Sequence, residues 1–353
     1  MEKLYLYGLK RYFLHTNIDE NNDMHTLGRV LSVKGIHYEI ITGGGARPAE
    51  LLGKLLYAHE KWEQPKVGDW VTYLDYDNIA LISDVLPRVN ELYRKAAGRE
   101  TYKQVIATNI DYAVVIQGLD HDFNISRIER YLVQIATCGI KPVLVLNKSD
   151  LTLNKDEVKK EVDRLHREVP VYFCSVKTGE GVAALTAHIF KPETTSVLIG
   201  SSGVGKSSLV NALTKNKRET NEISQATGKG RHTTTTRDMF LLDNGAIVID
   251  TPGMREFGVG YNDEADFEHV YPAISRYAEG CKFSDCRHIS EAGCRVINAY
   301  ESGELDAVIY ESYIKLQKEQ KHFLLTTHDK KKQGKQFGKM AREAQAYRKR
   351  FKY

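Results

Sequence analysis

In this chain the segment Asn147-Lys148-Ser149-Asp150 precedes the glycine-rich segment Gly200-Ser201-Ser202-Gly203-Val204-Gly205-Lys206-Ser207. The second has the form GxxxxGKS, whose backbone N–H groups cradle phosphates, and the first, NKxD, carries a carboxylate that can read the edge of a guanine. When these motifs occur together, the phosphate loop ordinarily comes first. Here the base reader, then Ser175-Val176-Lys177, the phosphate loop, a threonine run from Thr233 to Thr236, and Asp250-Thr251-Pro252-Gly253 follow in that order. All parts of one guanine-nucleotide site are present, but the chain enters the site at a different point. The order therefore predicts a circularly permuted GTPase-type domain.

The chain has 353 residues, more than one core usually organises, so two or three domains are expected. No apolar run approaches the roughly 18 residues of a membrane span. Glu2, Lys3, Lys10 and Arg11 interrupt the apolar residues of the N-terminus, so no signal-peptide core is read there. A cytoplasmic protein without membrane contact is expected. Five cysteines, three of them clustered, fit metal ligation better than a secreted disulfide framework. The net charge of +4 hides an asymmetry, because the segment from His328 to Tyr353 holds ten Lys or Arg against Asp329 and Glu343. Such a tail attracts polyanions, and its Phe337, Tyr347 and Phe351 could stack on bases; the plainer reading is a solvated terminus.

Three regions are expected: an N-terminal extension and barrel (1–97), a permuted nucleotide-binding domain (98–260), and a helical region with a basic tail (261–353). Within the first, β-rich stretches at Leu27 to Val33, Ile36 to Thr42, Val67 to Leu74 and Ile79 to Val85 have the rhythm of a small barrel. Gly43-Gly44-Gly45 reads as a break, and Ala49 to Glu63 as an insertion able to form a capping helix. An OB-like barrel fits, and such barrels bind RNA or DNA on one face; an SH3-like barrel fits nearly as well. From about Thr108 apolar strands alternate with amphipathic helices, which predicts a parallel sheet covered on both faces. Strands are expected at Asp111 to Gln117, Pro142 to Leu146, Val171 to Cys174, Ser196 to Ile199 and Ala246 to Ile249. Helices are expected at Ile125 to Cys138, Asp156 to Glu168, Gly181 to Phe190 and from Lys206. Each nucleotide motif then falls at a strand end, where open α/β sheets place ligands.

The residue types fit their tasks. Gly200 to Ser208 would wrap the phosphates, with Lys206 on the β- and γ-phosphates and the Ser207 hydroxyl on Mg²⁺. Asp150 can accept from N1–H and the 2-amino group of guanine while Asn147 serves the O6 and N7 edge, which favours GTP over ATP. Lys148, Ser149 and the Ser175-Val176-Lys177 loop complete the base pocket. Asp250 would hold Mg²⁺ through water, Thr235 or Thr236 would supply its other hydroxyl, and the Gly253 N–H would sense the γ-phosphate. The stretch Gln225 to His232, with Gly228 and Gly230, has the composition of a switch. Met254 stands where a water-orienting glutamine would be expected, and a thioether cannot position water. Either a partner completes hydrolysis or another residue substitutes, and His232 is the nearest with a usable proton acceptor.

Cys281, Cys286, His288 and Cys294 offer three thiolates and one imidazole within 14 residues, a closed tetrahedral set that fits one structural zinc. Cys138 and Cys174 fall on core positions.

The permuted order, the preceding barrel and the CxxxxCxHxxxxxC cluster together resemble the ribosome small subunit-dependent GTPase A family of bacteria (RsgA-type). The resemblance also covers Leu86-Pro87-Arg88, NKSD, GSSGVGKSS, His232-Thr233-Thr234-Thr235 and Asp-Thr-Pro-Gly. It implies a GTPase that binds the small ribosomal subunit and its 16S rRNA late in maturation, is stimulated by it, and leaves after hydrolysis. It also implies that His232 is the catalytic histidine. The first 25 residues and the basic tail depart from the family pattern. Two other classes stay open: an ATP-dependent small-molecule kinase, against which Asp150 argues, and a GTP-binding RNA scaffold with little hydrolysis. No obligate interface is evident, so a monomer is expected.

Overall fold

The computed structural model describes residues 2–16, 26–58, 63–95, 103–152, 154–165, 169–214, 237–251 and 271–318. The chain divides into two compact units, Met1–Ala96 with Tyr102–Gly260, and Ala97–Thr101 with Tyr261–Tyr353.

In the first unit β1 (Leu27–Lys34), β2 (His37–Thr42), β3 (Gly45–Leu51), β4 (Trp70–Tyr76) and β5 (Ile79–Val85) run in the order β1-β2-β3-β5-β4, and β4 pairs back with β1 to close a barrel. Val30, Ile40, Val71, Ala80 and Ile82 fill its core. Closure removes the unpaired edges that a five-strand sheet would otherwise expose. The strand β3 corrects the sequence reading, which placed a break at Gly45 and a helix from Ala49. The segment GARPAEL looks unlike a strand because of Pro48, but Pro48 pairs only with Glu39 of β2, and the second partner, β5, joins only from Ala49 onward. Proline is tolerated where one side of a strand is unpaired. The capping helix is limited to α3 (Gly53–Ala58) among the described residues.

The N-terminal extension forms α1 (Glu2–Leu6) and α2 (Leu9–His15), whose Leu4, Leu9, Tyr12 and Phe13 are buried. Arg29 is the joint of this region. Its guanidinium, 2% exposed, donates to the carbonyls of Tyr7, Gly68 and Asn109 and to the Thr195 hydroxyl. One side chain thus ties the helices, the barrel and the next sheet together. A hairpin of β6 (Glu91–Lys95) and β7 (Lys103–Thr108), which the sequence did not reveal, leads into that sheet.

The second sheet has the order β10-β9-β8-β11-β13-β12, with β8 (Tyr112–Gly118), β9 (Lys141–Asn147), β10 (Val171–Phe173), β11 (Thr195–Ile199), β12 (Arg237–Leu241) and β13 (Ile247–Asp250). Five strands are parallel and β12 is antiparallel to β13. Strand β12 also pairs with β1 through Ser32 and Val33, so the barrel and this sheet share one ladder. On β8 the side chains of Ala113 and Val115 enter one core with Ile128, Leu132 and Ile135 of α4 (Ile125–Thr137). Val114 and Ile116 enter another with Leu185 of α6 (Val182–His188) and Leu209 of α7 (Lys206–Leu213). Alternate residues are buried on opposite faces, as in a sheet covered by helices on both sides. Each buried Val, Leu or Ile among them contributes about 1.5–3 kcal/mol. Helix α5 (Lys155–Asp163) follows the base-reading segment.

The second unit contains α8 (Pro272–Ala278), α9 (Arg295–Glu301) and a helical segment over 307–318. Among the described residues no helix is long and apolar enough to cross a membrane.

Candidate nucleotide site and metal centre

The base reader follows β9, the Ser175 loop follows β10, the phosphate loop follows β11 and Asp250 ends β13, so four segments remote in sequence share the C-terminal edge of the parallel sheet. Asn147, 3% exposed, binds two of its neighbours. Its amide donates to the Val204 carbonyl at 2.7 Å and its oxygen accepts from the Val176 N–H at 3.3 Å. This contact requires glycine at 205: φ is +100°, and a Cβ there would stand 2.3 Å from the Asn147 amide nitrogen. Gly200 is equally constrained, since a Cβ would meet the Ile116 carbonyl at 2.3 Å.

Asp150 is exposed, and its carboxylate accepts from the Ser175 hydroxyl at 2.6 Å. That bond, offset in part by desolvation, holds the carboxyl below the usual range and keeps it an acceptor for donor edges. Lys148 sits in the left-handed region at φ 62°, backbone strain of the sort found at functional loops. Ser149 bonds to Glu180, which also pairs with Lys155. Lys177, on the Ser175 loop, is exposed.

In the phosphate loop the Lys206 ammonium donates to the carbonyls of Gly200 and Ser201 at 2.8 Å each. Burial pushes its pKa down to about 8, and nearby Asp250 opposes that shift. Ser202, Gly203, Ser207 and Ser208 are exposed at the loop and the start of α7. The Ser207 hydroxyl donates to Asp250 Oδ2 at 3.1 Å. Asp250 Oδ1 is buried and has no hydrogen-bond partner, and burial raises the carboxyl's pKa. An orphaned carboxylate oxygen beside a phosphate-loop hydroxyl fits a hydrated divalent cation, which would satisfy it. His232, Thr235, Thr236, Gly253 and Met254 lie outside the described residues, as does the basic tail.

Three residues that the motifs did not single out reach this edge from the end of β8 and the start of α4: Asp120, Asp122 and Arg127. Lys148 donates to Asp120 Oδ2 at 2.6 Å, the Ser201 hydroxyl donates to Asp122 Oδ2 at 2.6 Å, and Arg127 Nη1 donates to both Ser201 Oγ and Asp122. An Asp-x-Asp directly after an apolar strand was the available signal. A cavity of about 310 Å³, lined by Arg11, Trp70, Asp111, Lys141 and Thr195 among others, lies at the opposite, N-terminal ends of β8, β9 and β11.

In the second unit the ligand atoms of Cys281, Cys286, His288 and Cys294 lie within 4.8 Å of one another. Cys281 Sγ is 3.8 Å from Cys294 Sγ, and His288 Nδ1 is 3.6 and 3.3 Å from those sulfurs. Tetrahedral bonds of about 2.3 Å to sulfur imply S···S edges of about 3.8 Å, so the set fits one metal ion. Cys294 caps α9, its sulfur accepting from the Ile297 N–H, and Cys281 accepts from Arg295 N–H. These donors favour the thiolate form that a metal needs.

The RsgA GTPase family matches residues 85–260, and a 50S ribosome-binding GTPase family matches residues 195–336. The small ribosomal subunit biogenesis GTPase RsgA 1 of Bacteroides thetaiotaomicron is 43% identical over 343 residues, covering 96% of each chain. The RsgA 2 protein of Listeria monocytogenes is 39% identical over 89% of this chain and 88% of its own. Among solved structures, YjeQ from Thermotoga maritima matches with a TM-score of 0.61 at 28% identity, covering 82% of this chain and 96% of that one. YloQ, described as a circularly permuted GTPase, matches with a TM-score of 0.60 at 22% identity over 86% of this chain and 98% of that one, which speaks to the fold.

Proposed function

The chain belongs to the RsgA GTPase family and is a GTP hydrolase, and we propose that it serves the maturation of the small ribosomal subunit, binding 16S rRNA with GTP and releasing it after hydrolysis. The observation that supports this most is the meeting of the base reader, the phosphate loop and Asp250 on one sheet edge in permuted sequence order. Relatives matching nearly the whole chain carry the name small ribosomal subunit biogenesis GTPase, which supports the choice of partner. The protein acts as a monomer in the cytoplasm.

In this reading Asp150 and Asn147 take the guanine edge, with Lys148, Ser149 and Ser175 to Lys177 around them. Gly200 to Ser208 wrap the phosphates. Lys206 leaves the carbonyls of Gly200 and Ser201, which it now caps, for the β- and γ-phosphates. Ser207 and Asp250, with Thr235 or Thr236, would hold Mg²⁺, which when bound neutralises charge on the phosphate oxygens. Gly253 senses the γ-phosphate, and His232 accepts the proton of the attacking water. Cys281, Cys286, His288 and Cys294 would hold a structural Zn²⁺ that fixes the second unit.

Co-sedimentation with small subunits and GTP turnover, each with and without subunits, test the proposal together. Tighter association with a non-hydrolysable GTP analogue than with GDP, and stimulated turnover that His232→Ala removes, are the expected results. Equal association in both nucleotide states would overturn the release cycle. GTP binding without any cleavage, subunits included, would instead mark a scaffold.

A further inference from the structure

The two grips of the nucleotide site, on the base and on the phosphates, come from loops more than fifty residues apart, yet the ligand that joins them has a fixed length. Something must set their spacing. Strand β8 lies between β9, which ends in the base reader, and β11, which ends in the phosphate loop. Its last ladder position pairs Gly118 with Asn147, and the Leu119 N–H donates to the Asn147 carbonyl at 2.8 Å. The chain then turns through Asp120-His121-Asp122.

That turn touches both loops. Asp120 uses one oxygen for the Lys148 ammonium and the other for the Asp122 N–H, at 2.6 and 3.1 Å. Asp122 Oδ2 takes the hydroxyl of Ser201, a residue 1% exposed, and Arg127 Nη1 closes the triangle at 2.8 Å from Asp122 and 3.0 Å from Ser201. The fully buried Gln117 amide donates to the Asp122 carbonyl at 2.7 Å and pins the turn from beneath. Surface ion pairs alone would carry little. Here, however, the Asp122 carboxylate is hydrogen-bonded to a buried hydroxyl of the phosphate loop, the Asp120 carboxylate to the lysine of the base reader, and Asp120 also accepts from the Asp122 backbone N–H.

We propose that the Asp120–Asp122 turn sets the separation between the guanine-reading loop and the phosphate loop, making Asp120 and Asp122 positioning residues for nucleotide binding. The inference rests on the nucleotide site proposed above. Its physical content is that of a two-point grip: when the two points keep their spacing, the second contact forms at high effective concentration, and when the spacing relaxes, that advantage falls while each half-contact persists.

The test is binding of Mg·GDP, guanosine and Mg·tripolyphosphate to the full chain, wild type against Asp120→Asn and Asp122→Asn. Each variant is expected to lose about tenfold in GDP affinity. Guanosine binding to Asp122→Asn and tripolyphosphate binding to Asp120→Asn should stay within about twofold of wild type. The double variant should lose less than the product of the two single losses, because one turn carries both. Variants that bind GDP as wild type does, or that lose whole and half ligands in equal measure, overturn the proposal. A wild-type protein that binds no guanine nucleotide would instead refute the nucleotide site itself. Should Asp120→Asn not fold, Asp120→Ala removes the same ion pair, and the same loss of about tenfold in GDP affinity, with tripolyphosphate binding within about twofold of wild type, is expected.

Discussion

Lys206 gives the nucleotide site a pH signature. Burial lowers its pKa to about 8 in the nucleotide-free protein, whereas a triphosphate needs the cation. Because the folded pKa is depressed, the free protein gains stability between about pH 8 and the ordinary lysine range, where the unfolded chain still holds a proton the folded chain has shed; below pH 8 that gain is lost. Nucleotide binding runs the other way and takes up a proton above pH 8. GTP affinity should therefore be flat near pH 7 and weaken by up to about tenfold per unit above 8, with calorimetric proton uptake in the same window. Lys206→Arg, which stays charged, should remove the slope, and a slope that survives in it would assign the titration elsewhere. At the base end, Asp150 is exposed, and its carboxylate accepts from the Ser175 hydroxyl. Asp150→Asn should lower GTP affinity by a factor on the order of 10³ and favour a xanthine nucleotide, whose 2-carbonyl accepts from the new amide. Competition binding with the two triphosphates checks this, and an unchanged preference for guanine would remove Asp150 from base reading.

The elements differ in how plainly the sequence announces them. Strands β8, β9 and β11 were legible because uninterrupted apolar runs lie between turn residues and are buried on both faces. Strand β3 was hidden by Pro48, and β12, as described over Arg237–Leu241, carries the charged pair Arg237 and Asp238. The motif residues Asn147, Asp150, Lys206 and Asp250 were legible for the same reason that they meet: each lies at or just beyond the C-terminal end of a strand of one parallel sheet. Asp120 and Asp122 were not, because the Asp-x-Asp after the apolar strand marks a polar turn at the sheet edge but not its partners, which lie 28 and 79 residues away. The cysteine cluster was legible from spacing alone, and its element-level consequence follows from helix length. Helices α8 and α9 have seven residues each, too short to persist alone in water. Chelation under reducing conditions should therefore melt this unit, with a loss on the order of 10 kcal/mol of metal-linked folding energy. Circular dichroism should report lost helix while GDP binding by the other unit persists. Helix content that is indifferent to chelation would show that the tyrosine contacts there, such as Tyr300 stacked on Tyr310, hold the fold unaided.

At the scale of the molecule, the nucleotide edge and the barrel are joined by one row of backbone pairs. Asp250 lies opposite Asp238 of β12, and Asp238 lies opposite Ser32 of β1. Strand β1 has an irregular register between Val30 and Ser32, just where β12 joins it, and among the described residues two pairs make that joint. A short joint, with each hydrogen bond worth about 1 kcal/mol net, can transmit a change at Asp250 without locking the barrel in place. It also bounds the effect, since couplings between sites typically amount to about 1–3 kcal/mol, or roughly 5- to 150-fold in affinity. Amide exchange at Ser32, Val33 and the β12 residues should therefore differ between the GTP-analogue and GDP states, while Ile40 and Ile82 in the barrel core exchange alike in both. If β1 and β12 exchange identically in the two states, nucleotide information does not cross this ladder, and any nucleotide dependence of subunit binding must leave the site by another route.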